Sequence, residues 1–520
     1  MYNENMQRPV VLTILDGWGY SNQRVGNAIY NASKPYLDDI EKNYPSLLLQ
    51  ASGLGVGMTW GETGNSEVGH LTLGAGRSIF QYLYRINKDI ESGYFFQNLE
   101  LLKAVDHVKT GGSALHFVGL LSSGSVHSYF NHLLALLELV KRNDISNYHL
   151  HLFTDGKDSA PEEAPELVKK LEEYFPESMV NISTIIGRDY AMDRTGQWEM
   201  TQKAFELWTQ GKGNGAGDVL SVLAKYYGDG FKDHNIPPTI VNTKGLINDG
   251  DAVVFFNFRE DSMRQITRVF VSDYFDYFER KLPSNLYVLG FSQYIDTTRL
   301  KAIYPPPFIG NGLAEVLSLN GKTQFHVAET EKYAHVTYFF NCLKNRPFDG
   351  ETDLFLDSIP DSVNDPQMRA HDITSKVIEE LGRDYYDFLV INFANADVLA
   401  HLGDLEVTQK GVEVVDISLG RLKEAVLAKN GILIITSDHG NAERVIYGQS
   451  GNPETKHDQN PVPFYVVANE FLRPRSPEEI AASRSEIKGI LSDVAPTILE
   501  LMGIPVPPEM TGVSLARIIR

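Results

Sequence analysis

HFVGLL at residues 116–121 leads into NHLLALLELVKR at 131–142, HLHLFT at 149–154 into PEEAPELVKKLEEYF at 161–175, and ISTII at 182–186 into GQWEMTQKAFELWTQG at 196–211. Each pair is an apolar run of strand length followed by an amphipathic run of helix length, and this alternation predicts an α/β architecture on parallel sheets. Further out, VVLTILDG, DFLVINFANAD and GILIITSDHG are apolar runs that end in Asp16, Asp397 and Asp438. The residues suited to metal chemistry fall before residue 75 and after residue 330, with a long section between them that has its own strands and helices. The expected organisation is two α/β domains. Residues 1–80 and 310–520 form a metal domain from both chain ends, and residues 81–309 are inserted into it, as insertions are tolerated where loop ends lie close. YPPPF at 304–308 suits a stiff return linker. GKGNGAGD at 211–218 reads as a surface loop, because a phosphate loop needs a strand before it and a Lys-Ser or Lys-Thr helix start after it.

Composition narrows the function. With 42% hydrophobic content, 520 residues can build ordinary globular cores, and the single cysteine, Cys342, leaves no partner for an intramolecular disulfide. A reducing, cytoplasmic setting is expected. MYNENMQRPV lacks the basic start and apolar stretch of a signal peptide, and no run approaches the ~18 apolar residues of a membrane span. The formal net charge of −20 repels a nucleic-acid backbone over most of the surface, so neither nucleic acid nor membrane is an expected partner. A small anionic substrate would have to meet a local basic pocket.

Ligands of open α/β sheets gather beyond the carboxyl ends of the strands, where Asp16, Asp397 and Asp438 all fall. Asp397 and His401, four residues apart, share a face if the chain turns helical there, while adjacent Asp438 and His439 converge only on a turn. His457 lies nearby in sequence. Carboxylates and imidazoles suit manganese or zinc better than calcium. Each Asp taken alone is also an ordinary helix cap. GETGNSEVGH at 61–70 holds Ser66, which reads as a helix N-cap with Glu67 in the first turn. Such a position also favours an incoming phosphate, and a coordinated metal would lower the hydroxyl pKa. Taken together, these residues predict a serine that attacks phosphorus beside two metal ions.

Between these blocks, IIGRDYAMDRTG places Arg188 and Arg194 just past an apolar strand, and VVFFNFREDSMRQ places Arg259 and Arg264 past another. His127, Asp155, Lys157 and Asp158 follow two more. Guanidinium forks match carboxylate and phosphate oxygens, which suits a small doubly anionic substrate. Lys332, in AETEKYAHVTYFF, returns to the metal half and could reach a phosphoryl group from that side.

The chain resembles the cofactor-independent phosphoglycerate mutases of the alkaline phosphatase superfamily. LDGWG, GNSEVGH with LGAGR, GRDYAMDR, NFR, AETEKYAHVT, NFANAD followed by H-x-G, SDHGNAE and NPVPF occur in family order, nearly end to end. The resemblance implies an alkaline-phosphatase-like metal domain and an inserted substrate-binding domain. It implies one manganese on Asp397, His401 and His457, and a second on Asp16, Ser66, Asp438 and His439, other divalent ions being possible. Ser66 would carry the phosphoryl group from 3-phosphoglycerate to the 2-position, with no bisphosphoglycerate cofactor. Lys332 would stabilise the transferring oxygens, Asp158 would handle the hydroxyl proton, and His127, Lys157, Arg188, Arg194 and Arg259 would grip glycerate, all in a monomer. Two departures bear on substrate choice. TDGKD puts Lys157 where the family usually has arginine, and NFREDSMRQ puts Ser262 where a second substrate-facing arginine is expected. Loss of one charge-assisted hydrogen bond can cost ~1.5–3 kcal/mol, so a paralogue acting on a different phosphorylated hydroxy acid or phosphonate is the rival expectation.

Overall fold

VVLTIL at Val10–Leu15, FLVINF at Phe388–Phe393 and ILIIT at Ile432–Thr436 are buried along their whole length, which suits strands covered by helices on both faces. Alternate side chains part accordingly. Val10, Leu12 and Ile14 join one apolar cluster with Val68 and Ile498, while Val11 and Leu15 join another with Ile40, Val377 and Val415. A computed structural model describes residues 8–215, 217–448 and 450–519. Residues 1–7, part of the leader reading, and Ala216, inside the glycine-rich stretch, lie outside the described residues.

The chain divides into two compact units, an outer one of Met1–Gln81 with Phe308–Arg520 and an inserted one of Tyr82–Pro307. Each is α/β around an eight-stranded sheet. In the outer unit the strands run in the order Glu351–Leu356, Gln324–Glu329, Phe388–Phe393, Val10–Leu15, Ile432–Thr436, Val462–Val467, Ser46–Gln50 and Ile487–Ile490. All pairs are parallel except those of Val462–Val467, which runs against both neighbours. The alternation had predicted only parallel strands. The reversal matters for the site: the chain leaves the sheet after Thr436 and re-enters it from the same end, so residues shortly before Val462 share that end with Asp438.

In the inserted unit the order is Leu300–Tyr304, Tyr287–Ser292, Ala252–Phe255, Leu115–Leu121, Tyr148–Thr154, Ile182–Gly187, Thr239–Ile240 and Asn214–Gly215. The first six are parallel, and Thr239–Ile240 turns against Ile182–Gly187. Helices Phe130–Arg142, Ala164–Tyr174 and Trp198–Gln210 follow the strands Leu115–Leu121, Tyr148–Thr154 and Ile182–Gly187. Phe117, Leu150 and Ile182 pack with Leu136 and Leu167 on one side of the sheet, and Val118, Leu120 and Phe153 with Phe205 and Trp208 on the other. The glycine-rich stretch contributes the edge strand Asn214–Gly215 and a helix cap, Asp218, which accepts from the amides of Leu220 and Ser221. Among the described residues no helix is long and apolar enough to cross a membrane.

Candidate active site

Four neighbouring parallel strands of the outer unit deliver charged groups to one end of the sheet. Asp16 directly follows Val10–Leu15, and Asp438 lies two residues past Ile432–Thr436. Lys332 sits in the short helix Thr330–Ala334, which runs into a π turn at His335–Phe339, and Asp397 in the helix Asn395–Ala400. All four are at most 6% exposed. The Lys332 ammonium donates to Asp16 Oδ1 at 2.7 Å, Asp397 Oδ2 at 2.6 Å and Ser66 Oγ at 2.8 Å.

Ser66 opens the helix Ser66–Ala75 but does not cap it. Asn65 is the N-cap, its side chain accepting from the Val68 amide at 2.9 Å, one residue earlier than the sequence suggests. The displacement leaves the Ser66 hydroxyl free for the site. It donates to Asp16 Oδ1 at 3.0 Å and lies 3.0 Å from His439 Nε2. Glu67 is the acidic residue of the first turn, as read.

Asp397 and His401 do share one helical face, with His401 Nε2 3.3 Å from Asp397 Oδ1. His457, carried in by the reversed strand, is also 3.3 Å from that oxygen. The two imidazoles reveal what belongs between them. His401 Nδ1 lies 2.7 Å from the Thr455 carbonyl and His457 Nδ1 3.0 Å from the Gly64 carbonyl. A carbonyl only accepts, so both Nδ1 atoms carry hydrogen and both Nε2 atoms present lone pairs. Those lone pairs face each other across 3.0 Å beside a carboxylate. A proton or a cation must sit among them, and backbone-held imidazoles of this kind are typical metal ligands. Asp16, Asp397 and His439 form a second group whose ligand atoms lie within 4.8 Å of one another, and Asp16, His70 and Asp438 a third. The donor set fits divalent ions that accept nitrogen and carboxylate oxygen, such as manganese, zinc or cobalt.

The electrostatics agree. Burial would raise the carboxyls of Asp16 and Asp397, but the Lys332 ammonium holds both well below the usual range. Burial would lower Lys332, yet Asp16, Asp397 and Asp438 keep it above its ordinary value. Despite burial, Asp438, Asp16 and Asp397 hold His439 up to about 10. Three acids thus face two cations, Lys332 and His439, a deficit of positive charge that bound cations would relieve.

The sequence reading did not single out four residues of this site. Asn392 and His70 touch Asp16 and Asp438. Asn441 donates to Asp397 Oδ1 at 2.8 Å, and its own amide is held by Glu443 at 2.8 Å. An asparagine inside the apolar strand FLVINF was the available signal, since buried polar side chains need partners. In a fourth group, His326, Glu351 and Asp353, protein contacts take up part of the donor set: His326 Nδ1 donates to the Val336 carbonyl and Glu351 accepts from Asn341 and from the Phe348 amide, while His326 Nε2 and Asp353 Oδ1 are buried without a partner.

In the inserted unit the expected basic loops also converge, beyond four neighbouring strands. Arg188 donates to Asp155 and, at 2.8 Å, to Asp158. Lys157 pairs with Asp189, which also holds His234 at 2.7 Å. Arg194 and Arg259 both pair with Asp261. Ser262 is buried with its Oγ 3.0 Å from His127 Nδ1, so it acts on that ring where an arginine fork was expected. Burial, and then Arg188, lower His127 to about 4, keeping it neutral near pH 7. Arg264 is exposed at the first turn of the helix Arg264–Val271.

A family model described as the N-terminus of BPG-independent PGAM matches residues 86–296. The 2,3-bisphosphoglycerate-independent phosphoglycerate mutase of Clostridium botulinum (strain Langeland) is 43% identical over 519 residues, covering 98% of this chain and 100% of that protein. The mutase of the same name from Methanococcoides burtonii is 43% identical over 527 residues, covering 98% and 99%. Among solved structures, the Leishmania mexicana phosphoglycerate mutase, crystallised at low cobalt concentration, superposes with a TM-score of 0.68 at 29% identity, covering 98% of each chain. Likeness of this extent, over whole chains and across distant organisms, places the protein in the family of 2,3-bisphosphoglycerate-independent phosphoglycerate mutases.

Proposed function

We propose that the protein interconverts 3-phosphoglycerate and 2-phosphoglycerate through a phosphoserine at Ser66. The observation that carries this reading is the Ser66 hydroxyl, buried at a helix N-terminus and held by Asp16, Lys332 and His439. Ser66 gives up its proton, regaining one when it is released, as its oxygen attacks phosphorus; the bond to the substrate 3-oxygen breaks, and that oxygen takes a proton from Asp158 to leave glycerate with a 3-hydroxyl. Its 2-hydroxyl then attacks the phosphoserine, releasing Ser66 and giving 2-phosphoglycerate. Asp397, His401 and His457 would hold one divalent ion and Asp16, Ser66, Asp438 and His439 a second, manganese being our assignment. When bound, such ions neutralise phosphoryl oxygens and favour the ionised serine. Lys332, already beside the serine oxygen, bears on the charge of the transferring group.

The outer unit is on this reading the metal and phosphoryl-transfer domain, and the inserted unit binds glycerate. His127, Arg188, Arg194, Arg259 and Lys157 supply its cationic and polar grip, Ser262 sets the His127 ring, and Asp158 accepts the proton of the substrate hydroxyl. The acids now paired with the arginines hold those forks ready. The test is isomerisation with and without manganese, for wild type and Ser66→Ala, read as the position of the phosphate. Manganese-dependent turnover that vanishes in Ser66→Ala is expected. Equal turnover in the variant would exclude the phosphoserine route.

A further inference from the structure

We propose that Asn392 and His70 form a clasp that positions Asp16 and Ser66, making Asn392 a positioning residue for phosphoryl transfer. This inference rests on the reading of those two groups as the nucleophile half of the site. Asn392 is the next-to-last residue of Phe388–Phe393, in register with Ile14 of the neighbouring strand, and both Asn392 and His70 are fully buried. The Asn392 Nδ2 lies 2.7 Å from Asp16 Oδ2 and 3.0 Å from His70 Nε2. Flipping the amide would set its carbonyl against the Asp16 carboxylate, so the NH2 group must face both partners. One of its hydrogens goes to Asp16 and the other to His70.

That assignment settles the imidazole. A donor opposite Nε2 makes it a lone pair, so the single ring hydrogen of neutral His70 is on Nδ1. Nδ1 lies 2.8 Å from the Ser66 carbonyl, to which its N–H donates, and Asp438 Oδ2 stands 3.2 Å away beside it without receiving that hydrogen bond. The hydrogen-bonded path from Asp16 through Asn392 and His70 to the Ser66 carbonyl is continuous. Its effect on Asp16 is directional. With Oδ2 held by Asn392, Oδ1 is the oxygen presented to Ser66, Lys332 and His439.

A purely structural role explains this poorly. The Asn392 carbonyl oxygen is buried without a partner, a burden that leucine of the same shape would not carry. Aspartate at this position would oppose Asp16 with a like charge, and glutamine would be one methylene too long. Asparagine is the side chain whose amide reaches both partners from this strand.

The test compares Asn392→Leu, which removes both donors at nearly constant volume, with His70→Gln. Manganese is titrated calorimetrically into metal-free protein, and melting temperature, kcat and KM for 3-phosphoglycerate are measured alongside. The expected result for Asn392→Leu is one of the two manganese-binding events weakened ten- to hundredfold, as for other groups that orient metal ligands. With it, kcat falls at least tenfold, while KM stays within twofold and melting within a few degrees. His70→Gln should fall on the same side in manganese binding and kcat. Wild-type manganese binding and kcat in Asn392→Leu would overturn the clasp. So would wild-type values in His70→Gln if Asn392→Leu fails to fold. Should Ser66→Ala turn over normally, the reading of the site fails instead, whatever the clasp variants do.

Discussion

Lys332 is the cation nearest the serine oxygen, and its worth depends on what else is bound. It faces Asp16 at 2.7 Å and Asp397 at 2.6 Å with almost no solvent. Removing one partner of such a buried group leaves charge uncompensated and typically costs 3–5 kcal/mol, far more than the pair itself contributes. Lys332→Ala should therefore lower the stability of the metal-free protein by about 3–5 kcal/mol, and manganese should restore much of it by supplying positive charge to the same carboxylates. Denaturant melts with and without manganese check this. A variant as stable as wild type without metal would mean that Asp16 and Asp397 simply take up protons. The strand-end acids were legible because an Asp closing an apolar run stands out. Asn392 was not, because its partners come from a helix and a strand that are hundreds of residues away.

The helix Ser66–Ala75 carries Ser66, the proposed nucleophile, and its glycines let it lie flat. A Cβ on Gly69 would come within 2.5 Å of the Asp438 carbonyl oxygen, and one on Gly74 within 2.0 Å of the Phe340 carbonyl oxygen. Neither carbonyl is a flexible side-chain end, so the helix itself must move. Gly69→Ala should destabilise by roughly 1–3 kcal/mol, the usual range for overpacking, and lower kcat more than a distant change of equal stability cost. Denaturant melts paired with steady-state rates separate the two effects. Glycine and serine in GNSEVGH were visible in sequence. That Asn65 rather than Ser66 caps the helix was not, since adjacent polar residues compete for the same amides.

At the sheet edge, Glu351–Leu356 places Glu351 and Asp353 on one face, with His326 and Tyr333 as the other titratable neighbours. Burial, then the Glu351 charge, raise Asp353 from 3.8 to about 7. A carboxyl raised in the folded state favours the protonated native chain. Its stabilisation is complete below about pH 4 and is lost as pH rises through about 7. Asp353→Asn should flatten the fall in stability across that window and be the more stable form at pH 8. Melting temperatures at pH 5 and pH 8 check it, and parallel wild-type and variant curves would contradict a raised Asp353 carboxyl.

For the molecule as a whole, each unit has its own sheet and its own apolar clusters on both faces. Cation binding stabilises whatever surrounds it by RT ln(1 + [L]/Kd), about 2.7 kcal/mol at a hundredfold excess over Kd. Manganese should therefore slow hydrogen exchange around Asp16, Ser66–His70, Asp397–His401, Asp438–Asn441 and His457 of the outer unit. A chelator should reverse the effect. Protection spread over the basic loops of the inserted unit instead would place the metal elsewhere.

The chain's sequence by itself determined the α/β class, the strand-end acids and the serine in its glycine turn, because periodicity and polar residues closing apolar runs are local properties. The tertiary structure alone decided which strands stand side by side and that Val462–Val467 runs backwards, bringing His457 to Asp397. It also decided which acid holds each arginine and which amide holds Asp16. Those outcomes depend on long-range strand pairing and on side-chain direction, and both are set by packing between segments that the sequence keeps far apart.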